Sequence, residues 1–301
     1  MICLKIGFIF NPESGKGKIE KKHRRIVQSF TDKGHEVEVL KTTKQNDAML
    51  FASKPGYDLI LVAGGDGTLN EVVNGIMTLE VKPKIGYIPT GTVNDVAHLL
   101  GIPRNVKKAI KLILTDGVSR KMDISKLNDT YFTYAAATGK FAKASYDIKR
   151  SDKKRFGALA YVVRGITDMF YDYKIPLRIE YDHGIIERTF TLLLFLNGPR
   201  VGGVNLFLIR KSKLNDGILE ARLFERRGLL TLFKVLSFFA LGGLVTKGGH
   251  QLKSSRYSIK ADPKVEWNTD GEQKEHGSVD IVVIKEAIEI YVSKRASKNL
   301  F

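Results

Sequence analysis

Short apolar runs alternate with polar stretches along the first third of the chain. Residues 4–10 are β-branched and aromatic and read as a strand that runs into Asn11-Pro-Glu-Ser-Gly-Lys-Gly-Lys18, a flexible, basic loop. Residues 18–33 are polar, with Ile19, Val27 and Phe30 spaced for one helix face. Val37–Leu40 is a second strand, ending at Lys41-Thr42-Thr43, and Asn46–Ser53 a short helix. Tyr57–Ala63 reads as a buried strand, followed by Gly64-Gly-Asp-Gly-Thr68 and a helical run from Leu69 to Met77. Lys84–Ile88 is a fourth strand, followed by Pro89-Thr-Gly-Thr-Val-Asn-Asp95 and another helix. Strand, loop and helix at βα spacing predict a mostly parallel α/β sheet with ligand loops at the carboxyl ends of its strands.

From about residue 118 the texture changes. Strands are expected at Tyr131–Ala137, Ile175–Tyr181, Ile185–Leu196, Gly217–Phe224, Arg256–Lys260 and Val279–Ile284, with Gly184 as a turn. Helical patches interrupt them at Ala158–Tyr171 and at the apolar Leu229–Leu241. This half reads as an antiparallel sandwich or barrel. The domains expected are 1–126, α/β, and 127–286, β-rich. Leu229–Leu241 has two readings, a core helix or a greasy face at a bilayer surface, since Arg226, Arg227, Lys234 and Lys247 border it.

Composition narrows the partners. Among 301 residues, 49 Lys and Arg face 32 Asp and Glu, a net +17 that calls for an anionic partner. Lys140–Arg155 is a basic cluster. One cysteine, Cys3, excludes a disulfide framework, and six scattered histidines make a zinc enzyme improbable. Residues 1–10 lack the basic segment and long apolar core of a signal peptide, and Lys234 breaks the longest greasy stretch, 228–245. No nucleic-acid recognition motif is present.

The glycine loops carry the chemistry. Three glycines in Gly64-Gly-Asp-Gly67 let the backbone turn tightly between strand and helix, and the helix start aims N–H groups at a phosphate. Asp66 would repel that phosphate unless a cation sits between, which suggests Mg²⁺; otherwise it is a helix cap. The loop is neither a Walker A loop nor a Gly-x-Gly-x-x-Gly fingerprint. Pro89–Asp95 repeats the arrangement on the next strand, with Thr90, Thr92 and Asn94 offering polar groups and Asp95 able to orient a metal-bound water.

Asn11-Pro-x-Ser-Gly-Lys-Gly17, Gly64-Gly-Asp-Gly-Thr-Leu-Asn-Glu-Val-Val-Asn-Gly75 and Gly91-Thr-x-Asn-Asp95, in that order, resemble the diacylglycerol kinase catalytic domain family, and within it the soluble bacterial lipid kinases related to sphingosine and ceramide kinases. Looser markers follow at Asn197-Gly-Pro-x-x-Gly-Gly203, Leu214-Asn-Asp-Gly217 and Trp267-Asn-Thr-Asp-Gly-Glu272. The resemblance implies two domains with the nucleotide in a cleft between them, and a final segment, about 287–301, that packs back onto the first domain. It implies nucleotide contacts at Thr42, Gly65, Asp66, Gly67, Thr68, Leu69, Asn70, Glu71 and Thr92, with Lys16 (or Lys18) reaching a phosphate. It places a Mg²⁺ on the Asp216 side chain and the Lys213 and Ile218 carbonyls, and a carboxylate network on Asp66, Asp95, Asp123 and Asp216. It makes Glu272 the general base; by itself, Asp270-Gly271 also reads as a hairpin turn with an exposed glutamate. Val204 stands where the family has a third glycine, and Arg210-Lys-Ser212 where it has Pro-x-Ala, a departure that bears on acceptor identity more than on phosphoryl transfer.

The function implied is an ATP-dependent lipid kinase, with diacylglycerol converted to phosphatidic acid as the leading reaction. The alternatives are a kinase of another lipid or of a soluble acceptor, since NAD kinases carry a similar Gly-Gly-Asp-Gly-Thr loop, and a non-catalytic membrane- or nucleotide-binding module. The expected cofactor is Mg²⁺. The expected partners are a lipid at the membrane surface and anionic phospholipid headgroups, without nucleic acid and with a homodimer left open. The expected location is cytoplasmic and peripheral to the membrane. Asp66, read as a surface loop carboxylate, is expected to add little to stability.

Overall fold

A computed structural model of the chain describes residues 3–17, 19–139, 173–206, 212–243 and 249–301. The basic cluster Lys140–Arg155, the helical patch Ala158–Tyr171, and Lys18, Arg210 and Lys247 lie outside the described residues. The chain forms two compact units, one of Met1–Ile124, Leu214–Asp216 and Lys285–Phe301, the other of Ser125–Lys213 and Gly217–Ile284.

In the first unit β1 (Lys5–Phe10), β2 (Glu36–Lys41), β3 (Leu59–Gly64) and β4 (Lys84–Pro89) are all parallel, in the order β2-β1-β3-β4. Every residue of β3 is buried, as a central parallel strand with no solvent face requires. The chain leaves β1 through α1 (His23–Thr31) for a neighbour on one side, and leaves β3 through α3 (Asp66–Ile76) for a neighbour on the other. The loops after β1 and β3 therefore diverge at a topological switch point, where open α/β sheets bind ligands. Helix α1 is shorter than the 18–33 pattern suggested. Ile19 is buried under a turn whose carbonyl accepts the Lys22 and His23 N–H groups. Helix α2 (Asp47–Ala52) packs on α3, where Gly75 is the notch: a Cβ there would meet the Met49 carbonyl oxygen, and Ala52 Cβ at 2.9 Å.

Helices α4 (Asp95–Leu99) and α5 (Val106–Lys111) lead into β5 (Val118–Leu127), a strand the apolar pattern did not mark. The expected strand Tyr131–Ala137 is broken into β6 (Thr130–Phe132) and β7 (Ala135–Gly139), for a reason given below. The second unit continues with β8 (Ile175–Tyr181), β9 (Gly184–Leu196) and two short strands, β10 (Arg200–Val201) and β11 (Val204–Asn205). Then come β12 (Leu219–Glu225), α6 (Leu229–Ala240), β13 (Gly249–Ser254), β14 (Arg256–Lys260), β15 (Glu266–Thr269), β16 (Glu272–His276) and the long β17 (Val279–Val292). Pairing among these strands is antiparallel, and β9 pairs with β8 along its first half and with β12 and β7 along its second. The strands enclose one apolar cluster containing Phe132, Phe195, Tyr257 and Trp267. Strand β17 continues past the expected Ile284 and pairs through Ile290 with Ile85 of β4, parallel. The α7 helix (Lys294–Leu300) ends the chain, and its Leu300 carbonyl accepts the Leu214 N–H at 2.8 Å.

Gly75→Ala separates two effects of opposite sign. Helix propensity alone would favour alanine by about 1 kcal/mol. The clash with α2 should outweigh it, since overpacking costs about 1–3 kcal/mol. Calorimetry of the variant should show a lower melting temperature.

Candidate active site

The loops at the carboxyl ends of β1, β3 and β4 touch one another through backbone. Gly15, at φ +50°, faces Thr90 so closely that a Cβ would fall on its carbonyl oxygen. A Cβ on Gly91 would sit 2.6 Å from Gly65 Cα and 2.7 Å from Asn94 Oδ1, and one on Gly64 would strike the Thr68 side chain. The Thr90 and Gly91 N–H groups both donate to the Gly64 carbonyl (2.8 and 3.2 Å), and the Thr90 hydroxyl donates to Ser14 Oγ at 3.1 Å. The glycines thus serve loop-against-loop packing, a demand made before any ligand arrives.

Asp66 is a tether as well as a loop acid. Its Oδ2 accepts the Asp95 N–H at 2.9 Å and its Oδ1 the Val96 N–H at 3.2 Å, so the first residue of α3 caps the start of α4. The reading of Asp66 as a surface carboxylate of little weight for stability is therefore corrected: it is half-buried and satisfies two backbone donors. Asp95 is buried, and Asn94 before it, in the left-handed region at φ 55°, donates from Nδ2 to the Gly91 carbonyl at 2.7 Å. Beneath them the buried Tyr87 hydroxyl lies 3.3 Å from the Gly64 carbonyl oxygen and 3.4 Å from Asn94 Oδ1. Burial, then the charges of Asp66 and Asp95, push that hydroxyl well above its ordinary pKa, so it remains a donor. Arg104, which no motif marked, donates from Nη2 to the Thr92 and Val93 carbonyls (3.0 and 2.8 Å) and clamps the outer edge of the same loop.

The positions expected to meet a nucleotide divide into two kinds. Gly65, Asp66 and Gly67 lie at the start of α3, whose first N–H groups have no intrahelical acceptor, and Thr92 is exposed on the neighbouring loop. Thr68, Leu69 and Asn70 have buried side chains, which leaves the backbone as what they present. Glu71 faces α2, its Oε2 accepting the Ala48 N–H at 3.2 Å. Thr42 is buried at the end of β2, its N–H donating to the Phe10 carbonyl at 3.0 Å. Lys16 lies on a 3₁₀ turn, Ser14–Gly17, with its side chain outside what the structure describes.

Two further acids sit where the final segment joins the first unit. Asp123 is buried; its N–H donates to the Leu214 carbonyl at 2.7 Å and its Oδ1 accepts the Glu286 N–H at 2.7 Å, steadying the left-handed kink at Glu286. Asp216 is exposed. Among the described residues no three His, Cys, Asp or Glu side chains converge as a metal cage. A cation here would take one carboxylate and draw its remaining oxygens from backbone, water and phosphate, a donor set that fits Mg²⁺.

In the second unit, β15 and β16 form a hairpin with Thr269 opposite Glu272 and Asp270-Gly271 as its two-residue turn, both at positive φ (49° and 88°). The hairpin reading of this segment is thus correct as geometry, but Glu272 is half-buried and not an exposed turn residue. Asp270 is buried and clasps the β6–β7 corner. Its Oδ2 accepts the Thr133 N–H and hydroxyl, each at 2.6 Å, and its Oδ1 the Tyr134 and Ala135 N–H groups at 3.0 and 3.1 Å. This carboxylate diverts the backbone donors of 133–135 and splits the expected single strand. Burial pushes the Asp270 carboxyl above its ordinary pKa, and the four donors pull it back. Asn197 braces the same corner from its own motif, Nδ2 donating to the Thr133 carbonyl at 3.0 Å while Oδ1 accepts the Ser125 hydroxyl at 2.8 Å.

The model of the diacylglycerol kinase catalytic domain matches residues 5–127. The chain is 34% identical to the diacylglycerol kinase of Bacillus subtilis (strain 168), over 88% of each, and 32% identical to that of Staphylococcus carnosus (strain TM300), over 95% of this chain and 94% of that one. The solved structure of a diacylglycerol kinase from Bacillus anthracis superposes with a TM-score of 0.79 at 27% identity, covering 98% of this chain and 99% of that one. The chain belongs to the diacylglycerol kinase family. Membership of a kinase family implies use of ATP, and the diacylglycerol kinase fold places the phosphate-suited helix start of α3 at the switch point of its parallel sheet.

Loss of the Asp66 tether should be measurable without substrate. Asp66→Ala should lower stability by about 1 kcal/mol through the lost cap, read as a fall in melting temperature; an unchanged melting curve would show that the carboxylate is no tether. Asp270→Ala should cost more, because it strands three backbone N–H groups in the interior at about 1–3 kcal/mol each. Urea unfolding compares the two variants directly.

Proposed function

We propose that this protein is an ATP-dependent lipid kinase that transfers the γ-phosphoryl group to the hydroxyl of diacylglycerol, giving phosphatidic acid and ADP. The observation that carries the reading is the glycine cradle of Gly15, Gly64, Gly65 and Gly91 around the start of α3, in a chain about a third identical to bacterial diacylglycerol kinases over most of its length. The N–H groups of the first turn of α3, at Asp66, Gly67 and Thr68, are assigned to the nucleotide phosphates, whose charge the helix start favours. Thr42, Asn70, Glu71, Thr92 and Lys16 border that site. Asp216, with the Lys213 and Ile218 carbonyls, is assigned to hold Mg²⁺, with Asp95 and Asp123 in the surrounding carboxylate network; the cation would neutralise charge on the transferring group.

Glu272 is assigned as general base. The lipid hydroxyl oxygen forms the new bond to the γ-phosphorus, the bond to the ADP oxygen breaks, and the hydroxyl proton passes to the Glu272 carboxylate. The Asp270 clasp and the Thr269–Glu272 pairing fix the hairpin backbone from which that side chain extends. Among the described residues no helix is long and apolar enough to cross a membrane; the lipid is assigned to be met at the membrane surface.

Glu272→Gln keeps the shape and most hydrogen bonding but cannot take a proton. Its kcat should fall by about 10²–10⁴-fold, toward the lower end because the transition state is loose, while ATP affinity stays near wild type. A kcat within about threefold of wild type would remove Glu272 from the role. A labelled-ATP assay over a lipid panel, with NAD as a soluble acceptor, tests the substrate class; label entering NAD and no lipid would overturn the lipid reading.

A further inference from the structure

Helix α6 is apolar on two opposite faces, and among the described residues only one of them is packed. Thr231, Val235 and Phe238 are buried, with Phe238 edge-on to Phe224 of β12 at 5.3 Å. The Thr231 hydroxyl donates to the Glu225 carbonyl at 3.0 Å and accepts the Arg227 N–H at 2.6 Å, which fixes how the helix starts and hence which face turns inward. On the other side Leu230, Phe233, Leu236 and, just past the helix, Leu241 are 63%, 65%, 41% and 49% exposed. At 100° per residue these four positions span an arc of about 140°. Single exposed apolar residues are ordinary, but a continuous face of large ones marks an interaction site.

The surroundings of that face are cationic. Arg226 and Arg227 precede the helix, Lys234 sits at the edge of the exposed arc, and Arg188 lies on the adjoining strand β9. Among the described residues four cations, Arg188, Arg226, Arg227 and Lys234, stand here against Glu225, which is bonded to His250 (2.7 Å) and Arg227 (3.2 Å) with Arg188 at 3.9 Å. An apolar strip rimmed by Arg and Lys is complementary to acyl chains rimmed by phosphates. A diacylglycerol with two long chains stays in the bilayer, so a kinase that phosphorylates it must work at the bilayer surface.

We propose that this face of α6 is the surface by which the protein docks on an anionic bilayer. Leu230, Phe233, Leu236 and Leu241 enter the boundary between headgroups and acyl chains, and Arg226, Arg227 and Lys234 stay at the level of the phosphates. The biological purpose of this docking rests on the lipid-kinase reading; the physical test below does not.

Trp267 is the single tryptophan and is fully buried, so Phe233→Trp places a second reporter on the proposed face. Its fluorescence should be quenched by vesicles of phosphatidylcholine and phosphatidylglycerol with brominated acyl chains, and much less by phosphatidylcholine alone. Leu230→Asp combined with Phe233→Asp should weaken sedimentation with the anionic vesicles by about tenfold or more, and Arg227→Ala should weaken it by a smaller, salt-dependent factor. The aspartate variant should keep its kcat on a short-chain diacylglycerol dispersed as monomers. Unchanged sedimentation of the aspartate variant, or no quenching, would overturn the proposal. A wild-type dimer that the aspartate substitutions convert to monomer, without loss of vesicle binding, would also overturn it and assign the face to a second copy of the chain. Quenching and binding by a protein that phosphorylates no diacylglycerol would uphold the docking face while removing the kinase reading.

Discussion

The first unit depends on one carboxylate holding two loops that are far apart in sequence. Asp66 stands at the start of α3 and accepts the N–H groups of Asp95 and Val96 at the start of α4. Helix starts carry donors that nothing in their own helix can satisfy. Each of these two loops turns such donors toward the same small volume, and α4 has its own answered by the acid of α3. The glycines at 15, 64, 65 and 91 let the backbones approach closely enough for that exchange. The cradle is thus assembled before any nucleotide is present.

The same device recurs. Asp47 takes the Thr43 and Lys44 N–H groups and the Thr43 hydroxyl, which hold its carboxyl below the usual range. Asp123 takes the Glu286 N–H, and Asp270 takes three consecutive N–H groups and a hydroxyl at the β6–β7 corner. A carboxylate offers about four acceptor sites. Asp270 is nearly saturated by its donors, which fits a residue that sets the place of Glu272 and does not itself touch substrate.

Lipid chemistry adds a constraint that folding does not. The docking proposed for α6 leaves apolar surface uncovered, at a cost in solubility that the net charge of +17 offsets. The outer face of α6 is where the described residues leave four large apolar side chains exposed together.

The parallel half of the fold was legible in the sequence because its signals are local: a buried strand, a glycine turn and a helix face lie within a few residues of one another, repeated from β1 to β4. The family motifs are equally local, and the segments they mark fall on the loops after β1, β3 and β4 and on the β15–β16 hairpin. What only tertiary structure decided are the long-range partnerships. Asp66 as a tether depends on donors 29 and 30 residues away, and the break between β6 and β7 on a carboxylate 137 residues downstream, distances at which no periodicity carries information. Arg104 had no motif around it, and its carbonyl partners at 92 and 93 become its neighbours only when the loop closes. Helix α6 is the sharpest instance: leucine and phenylalanine lie nearly all round it, so the pattern favoured no face. Packing of Phe238 on Phe224 turned one side inward, and by that choice alone determined which side meets the surroundings.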